Sequence, residues 1–267
     1  MFLLFVIYLS EIHFQEQPDI WLESHGTSHK RPHVAFFAPH ENENVVNEYL
    51  SQKVSTHGGR FFILRQWGDR HVVLRVEGKR FEADPNRIFT PIGVKSTLLM
   101  LNPSLKEDSP LFAAVFSRTV NLGKFILGEM GSLDNEKAVI IAIHNNTDGF
   151  DNDGKGGLGT ISMERYAMKL EAGAKYILRL HRGKGDEDDL YFINREEDFN
   201  LLKERGWNIV LQHPQVAVLP TEDDGSLSVY AEKIGARYLN IEAQRKEGDD
   251  HLEIQKKMVD AVFEIIK

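Results

Sequence analysis

Apolar runs of four to six residues recur along the chain, and amphipathic stretches separate them. The run at 138–143 is continuous rather than alternating, which favours a strand buried on both faces of a sheet. The runs at 34–38 and 238–241 also predict strands. At 110–130 and 252–266, apolar residues return every three or four positions, which is the period of an amphipathic helix. This order predicts a single α/β domain with one mixed, mostly parallel sheet and helices on both faces.

Weaker patterns complete the predicted order of elements. Further strands are predicted at 61–65, 71–76, 176–180 and 207–211, and further helices at 44–56, 163–172, 196–205 and 227–235. Because only five residues separate 61–65 from 71–76, these two strands are predicted to pair as an antiparallel hairpin at the edge of the sheet. The Gly, Pro and Asn residues of 78–89 predict a loop.

Residues 1–30 are predicted to form a leader ahead of the domain at 31–267, which no Pro/Gly/Ser-rich linker divides. Residues 1–10 are apolar, too few to span a bilayer, but about as long as the hydrophobic part of a signal peptide. A signal-peptide remnant, a buried first strand and a disordered leader all fit this pattern. Export to a periplasmic or extracellular space follows from the first of these, and a cytoplasmic protein from the others. Residues 11–33 are predicted to be a polar lead-in.

Composition excludes several classes of function. A formal charge of −8 over 267 residues argues against nucleic acid or an anionic membrane surface as the main partner, because both require clustered Lys and Arg. The chain has no cysteine, so a metal would have to be held by His, Asp or Glu. No other segment approaches transmembrane length, and stable membrane insertion is not expected. These properties favour a protein that acts on small molecules or peptides.

Three chemically active side chains follow directly on predicted strands. His40 comes after the run at 34–38, and His144 and Glu242 each follow a later apolar run. In open α/β sheets, ligands bind at the carboxyl ends of the strands. We therefore expect these three side chains to meet at one rim of the sheet.

The spacing of His40 and Glu43 suits a metal site. The two residues lie three apart where a loop enters a helix, so both side chains can point the same way. With His144 they would supply the three protein ligands that catalytic zinc usually takes. The alternative is a solvated helix start with a capping carboxylate, since His-x-x-Glu is common by chance. Glu242 is then either a general base or a surface glutamate near a strand end.

Residues 80–87 offer groups that could hold a substrate. A guanidinium at Arg80 can stabilise an oxyanion, and Asn86 with Arg87 can bind a carboxylate through two hydrogen bonds. An Asp-Pro-Asn turn with a solvent-exposed arginine explains the same pattern. Asn145, directly after His144, is predicted to line the substrate pocket.

The order and kind of these motifs along the chain resemble the zinc carboxypeptidase superfamily, especially its succinylglutamate desuccinylase and aspartoacylase branch. The resemblance rests on residues 40–43, 84–89, His144 and 240–242. It implies a zinc carboxypeptidase-like fold and one Zn²⁺ per chain. The implied roles are metal ligands for His40, Glu43 and His144, general base for Glu242, carboxylate binding for Asn86 and Arg87, and the oxyanion side for Arg80.

The resemblance also implies an activity. It points to a zinc-dependent metallocarboxypeptidase-like enzyme or amidohydrolase (deacylase) that cleaves an amide bond next to a free carboxylate. The substrate would be the C-terminal residue of a peptide or an N-acyl amino acid. The alternative is a non-catalytic protein of the same fold that binds carboxylates or peptides. Pro85 replaces the leucine of that branch, Arg80 lies one residue closer to Arg87 than expected, and residues 183–205 are predicted to be an insertion.

Overall fold

The computed structural model describes residues 9–27, 30–131, 133, 137–147, 161–245 and 251–266. The strands are β1 (Leu9–His13), β2 (Trp21–Thr27), β3 (Val34–Ala38), β4 (Gly59–Arg65), β5 (Val72–Val76), β6 (Lys79–Ala83), β7 (Val139–Thr147), β8 (Ile177–His181), β9 (Leu190–Ile193), β10 (Asn208–Gln212) and β11 (Arg237–Arg245). The α-helices are α1 (Asn47–His57), α2 (Pro91–Leu101), α3 (Pro110–Met130), α4 (Met163–Glu171), α5 (Glu196–Glu204), α6 (Leu227–Ile234) and α7 (Leu252–Ile265). All six predicted helices are confirmed, with ends within three residues of those predicted.

Nine of these strands form one mixed sheet in the order β1-β2-β4-β3-β7-β11-β9-β10-β8. The central strands β4, β3, β7 and β11 run parallel. On either side, β2 and β9 run antiparallel to their inner neighbours. The predicted α/β class with a mixed sheet is confirmed, and its parallel part is the centre.

Helices cover both faces of this sheet. In β3, Phe37 faces one hydrophobic core and Phe36 faces the other, as alternation along a strand requires. The first core also contains residues of α2, α3, α4 and α6, whereas the second contains residues of α1, α5 and α7. The central strands are therefore buried on both faces, which explains the continuous apolar sequences of β3 and the first half of β7.

Helix α3 is a core helix, as its apolar period predicts. Its first turn is capped by Ser109, whose side chain accepts a hydrogen bond from the Phe112 amide, and proline stands at the first helical position. Among the described helices, α3 alone is long and apolar enough to cross a membrane. Val115, Leu122 and Ile126 are fully buried in the first core, however, which is how a core helix of a globular domain passes the same test.

The predicted hairpin between 61–65 and 71–76 is wrong. Strand β4 lies inside the large sheet, between β2 and β3, and β5 pairs instead with β6 in a separate two-stranded sheet. Their turn consists of Glu77 and Gly78, both at positive φ (51° and 73°), the backbone that a two-residue hairpin turn requires. The loop predicted at 78–89 therefore begins as a strand.

The prediction of a polar lead-in at 11–33 is also wrong, because this segment contains strand β2 and most of β1. β2 pairs with β4 along its whole length, and β1 extends the edge beyond it. Ile20 and Leu22 are fully buried beneath this edge. The signal-peptide question concerns residues 1–8, which lie outside the described residues.

Two further elements differ from the prediction. Helix α2 was not predicted, and β9 lies within the predicted insertion at 183–205, where it pairs with β11 and β10. Four buried residues, Leu190 to Ile193, are too few to show a clear period, which is why β9 was missed. Residues 190–205 are therefore part of the sheet and its helical layer.

A substitution at Gly93 tests how closely α2 packs against Gly225 and the loop at 84–90. A Cβ atom at Gly93 would lie 2.1 Å from the Gly225 Cα, so a methyl group cannot fit without moving backbone. We expect Gly93→Ala to lower the free energy of unfolding by about 1–3 kcal/mol. Gly128→Ala is the control, because nothing lies within 4 Å of its Cβ position. In α3 this change should stabilise by about 0.5–1 kcal/mol. Equal urea-unfolding midpoints for the two variants would contradict the packing described.

Candidate active site

The carboxyl ends of three central strands meet at one rim of the sheet. His40 follows β3 after a single proline, and His144 lies in β7 directly opposite Glu242 of β11. All three side chains are buried, and Glu43 is buried beside them. The predicted meeting of these four residues is therefore seen in the structure.

A tight turn aligns the first two of them. The Glu43 amide donates a hydrogen bond to the His40 carbonyl (3.0 Å), which closes the turn ahead of α1. The ligand atoms of His40, Glu43 and His144 lie within 4.8 Å of one another. His144 Nδ1 lies 2.9 Å from Glu43 Oε2. The His-x-x-Glu turn and His144 of β7 thus form a compact group of side chains of the types that bind metals.

These residues fit a divalent metal. His40 Nδ1 lies 3.0 Å from the Arg70 carbonyl oxygen, which leaves Nε2 buried without a hydrogen-bond partner among the described residues. Asp84 Oδ1 is the nearest carboxylate oxygen recorded for that nitrogen, at 3.7 Å. A buried imidazole nitrogen left free while the other is hydrogen-bonded is how a metal-binding histidine is usually arranged. Two imidazoles and one carboxylate are also a common donor set for Zn²⁺.

The protonation states of His40 and Glu43 suit metal binding. Burial lowers the pKa of His40 to about 4, so its imidazole is neutral at neutral pH. Burial alone would raise the pKa of Glu43, but His40, His144 and Arg70 outweigh it and lower that pKa to about 2. A neutral imidazole and an ionised carboxylate are the forms that coordinate a metal. Burial lowers the pKa of His144, but the Glu242 and Glu43 carboxylates outweigh it and raise that pKa, so a metal would displace a proton from this ligand.

Glu242 is the second buried carboxylate at this rim. Its Oε1 accepts a hydrogen bond from Asn240 Nδ2 (2.9 Å), two residues earlier on the same face of β11. Burial raises its pKa, and the neighbouring His144 opposes that shift. A carboxylate with a raised pKa accepts a proton more readily than an exposed one, which is the property of a general base.

The predicted carboxylate-binding pair lies at the edge of the same site. Asn86 Nδ2 lies 3.4 Å from His144 Nε2, and the Asn86 Oδ1 is buried without a hydrogen-bond partner among the described residues. Arg87 pairs with Asp224, at 3.3 Å between NH1 and Oδ2, and its side chain is 36% exposed. Asn86 therefore touches the cluster, and Arg87, the next residue in the chain, holds a partly exposed positive charge paired with Asp224.

Asn145 lies between the turn at 40–43 and the ends of β7 and β11. Its Oδ1 accepts a hydrogen bond from the Val45 amide, and its Nδ2 donates one to the Ala243 carbonyl (both 3.3 Å). Its backbone amide donates to Glu43 Oε2 (3.1 Å). Asn145 thus holds the turn at 40–43 against β7 and β11, and its amide keeps one further N–H and one further lone pair for other partners.

Arg80 lies outside the group of ligands. It is exposed on β6, opposite Arg75, and its guanidinium lies 4.9 Å from the centre of the Trp67 ring. Because Phe81 and Ala83 point into the core, alternation along the strand turns Arg80 outward. The predicted placement of Arg80 on the oxyanion side is corrected accordingly.

Arg70 is the cation that the sequence analysis missed. Its guanidinium forms an ion pair with Glu43 Oε1, and its carbonyl faces His40 Nδ1. The side chain is 48% exposed, so its charge lies between the buried cluster and solvent. Arg70 was predicted to sit in a hairpin turn, and no local pattern distinguishes it from other loop arginines.

Comparison with known proteins gives structural likenesses only. No protein-family model matches the chain, and no curated protein matches it. Among solved structures, the succinylglutamate desuccinylase from Chromobacterium violaceum is 11% identical, with a TM-score of 0.48 and coverage of 97% of this chain and 72% of the other. A protein described as a candidate metallopeptidase from Shewanella baltica is 11% identical, with a TM-score of 0.46 and coverage of 98% and 87%. The tripeptide-bound cell shape determinant from Helicobacter pylori is 11% identical, with a TM-score of 0.42 and coverage of 97% and 55%.

The first of these likenesses is to the branch that the motifs resemble. At 11% identity and TM-scores below 0.5, however, the likenesses are too distant to assign an activity to this chain. Function must therefore be derived from its own side chains.

The cluster generates a prediction for metal content. After zinc loading and desalting, we expect the wild-type protein to retain about one zinc ion per chain, because three ligands and a solvent position complete a tetrahedral site. His144→Ala should lose most of this zinc, measured by elemental analysis, because two remaining ligands bind weakly. His57→Gln, at the end of α1, is the control and should retain it. Full zinc content in His144→Ala would show that the metal is held elsewhere.

Proposed function

We propose that this protein is a zinc-dependent hydrolase that cleaves an amide bond next to a free carboxylate. The observation that carries the proposal is the buried group of His40, Glu43 and His144 with a second buried carboxylate, Glu242, directly opposite His144. The substrate would be the C-terminal residue of a peptide or an N-acyl amino acid.

The three ligands would hold one Zn²⁺. When bound, the metal would polarise the scissile carbonyl and lower the pKa of the attacking water. Glu242 would take a proton from that water and deliver it to the nitrogen of the leaving amine, so that one water molecule is consumed for each amide bond cleaved. Burial supports this role because it raises the pKa of Glu242.

The remaining roles belong to residues at the edge of the cluster. Arg70, rather than Arg80, is the cation available to stabilise negative charge on the substrate oxygen, because its guanidinium lies against Glu43. Asn86 and Arg87 would bind the substrate carboxylate, which would replace Asp224 as the partner of Arg87. Recognition of the carboxylate by these two residues would select substrates that carry a free acid beside the scissile amide.

Glu242→Gln tests the catalytic part of the proposal. The substitution keeps the size of the side chain but removes the proton acceptor, so we expect retained zinc and a fall in kcat of about 10²–10⁴-fold. Glu171→Gln, on the exposed end of α4, is the matched control and should leave kcat unchanged. The assay uses zinc-loaded protein with a panel of N-acyl amino acids and short peptides. Turnover of Glu242→Gln close to the wild-type value would assign the base to another group.

Arg87→Ala tests the carboxylate-binding part. Loss of a charge-assisted hydrogen bond worth about 1.5–3 kcal/mol should raise KM, or lower kcat/KM, by about 10–150-fold for a substrate with a free carboxylate. The wild-type enzyme should discriminate against the same substrate with an amidated carboxyl group, and Arg87→Ala should lose most of that discrimination. Equal discrimination in both proteins would contradict the role of Arg87. Saturable carboxylate binding without turnover of any panel member would favour the non-catalytic alternative.

A further inference from the structure

Glu41, one of the two residues between His40 and Glu43, has contacts of its own. Glu41 Oε2 accepts hydrogen bonds from the backbone amides of Gln66 and Gly68, both at 2.7 Å. Its other carboxylate oxygen lies 3.7 Å from Arg65 NH1, and its side chain is only 16% exposed. One mostly buried carboxylate therefore holds the start of the loop at 66–70.

A second set of bonds closes this loop at its base. The Gln66 side chain accepts a hydrogen bond from the Val73 amide (2.8 Å) and donates one to the Val73 carbonyl (2.9 Å). Gln17 donates to the same carbonyl (2.8 Å). Gly68, between the two anchored ends, has φ of +82°, a backbone conformation that favours glycine. The path of the loop is thus fixed by side chains that lie outside the metal-type cluster.

The loop leads back to the residues on either side of Glu41. Arg70 faces His40 with its carbonyl oxygen and Glu43 with its guanidinium. The turn at 40–43 and the loop at 66–70 are therefore joined in both directions: Glu41 binds the loop, and the loop binds the neighbours of Glu41. Displacement of the loop would change the position of the only arginine or lysine recorded in an ion pair with Glu43 among the described residues.

We infer that Glu41 is a positioning residue, which acts through the loop at 66–70 to hold Arg70 against His40 and Glu43. The inference rests on the proposed function to the extent that the cluster binds zinc. It assigns Glu41 no contact with substrate. The turn that presents His40 and Glu43 thus also fixes the position of Arg70, through Glu41.

A double-mutant cycle on zinc affinity tests the inference. Arg70→Ala should tighten zinc binding by about tenfold, because it removes a like charge near the metal and frees Glu43 from its ion pair. Glu41→Ala should tighten zinc binding when Arg70 is present, since the loop no longer holds the cation in place. In the Arg70→Ala background, Glu41→Ala should lose this effect. Affinities are measured by competition with a chelator, which requires no turnover.

Glu41→Gln separates position from charge. It retains an oxygen that can accept both amide hydrogen bonds, so it should bind zinc nearly as the wild type does. Asp69→Asn, an exposed change in the same loop, is the control for loss of a nearby negative charge. Additive effects of Glu41→Ala and Arg70→Ala would overturn the inference and leave the proposed function intact. A zinc affinity of Glu41→Gln equal to that of Glu41→Ala would also overturn the inference and leave the proposed function intact.

Hydrogen exchange decides the inference independently of metal. In Glu41→Ala, backbone amides of the segment 66–71 should exchange faster than in wild type, whereas Glu41→Gln and Asp69→Asn should remain close to wild type. Unchanged exchange in Glu41→Ala would overturn the inference. If the wild-type protein binds no zinc, the proposed function fails, and this exchange measurement alone decides the role of Glu41.

Discussion

Burial of the Glu43 carboxylate is the constraint on which the rim of this sheet depends. Only 5% of the residue is exposed, and a carboxylate in such a place is costly unless it is paired and hydrogen-bonded. The partners come from distant parts of the chain: His144 and the Asn145 amide from β7, and Arg70 from the loop after β4. Satisfying one negative charge thus draws three segments to the same point.

The sheet makes this convergence possible. Parallel pairing of β3, β7 and β11 brings their carboxyl ends to one edge, and the pairing of His144 with Glu242 places a second carboxylate beside the first. The two carboxylates differ in their surroundings. Contacts with His40, His144 and Arg70 lower the pKa of Glu43, whereas burial raises that of Glu242. One therefore suits a metal ligand and the other a proton acceptor.

The features that local sequence patterns encode were predictable. Helices such as α3 and strands such as β7 follow from apolar periodicity, and His40, His144 and Glu242 could be placed because each follows an apolar run of a central strand. Strand partners were less predictable, because pairing is a long-range choice. β4 was assigned to the wrong neighbour, since its contacts with β2 and β3 leave no local signal. The strands before residue 30 were missed because they are antiparallel strands near one edge of the sheet, where polar residues are tolerated.

The two arginines show the same limit within the site. Arg80 was placed by its distance from Arg87 in the chain, but it lies in a strand whose alternation directs it to solvent. Arg70 meets Glu43 from 27 positions further along the chain, through a loop whose path depends on Glu41 and Gln66. Neither outcome can be derived from spacing, because the direction of Arg80 depends on which side of β6 faces the core and the position of Arg70 depends on the hydrogen bonds of a loop.

The central claim is that His40, Glu43 and His144 hold one metal ion beside Glu242. The most direct test is anomalous diffraction at the zinc absorption edge from crystals of the zinc-loaded protein. The account predicts one strong peak per chain, about 2.0–2.2 Å from nitrogen atoms of both histidines and an oxygen of Glu43. A peak bound by other residues, or none at this rim in protein that contains stoichiometric zinc, would contradict it.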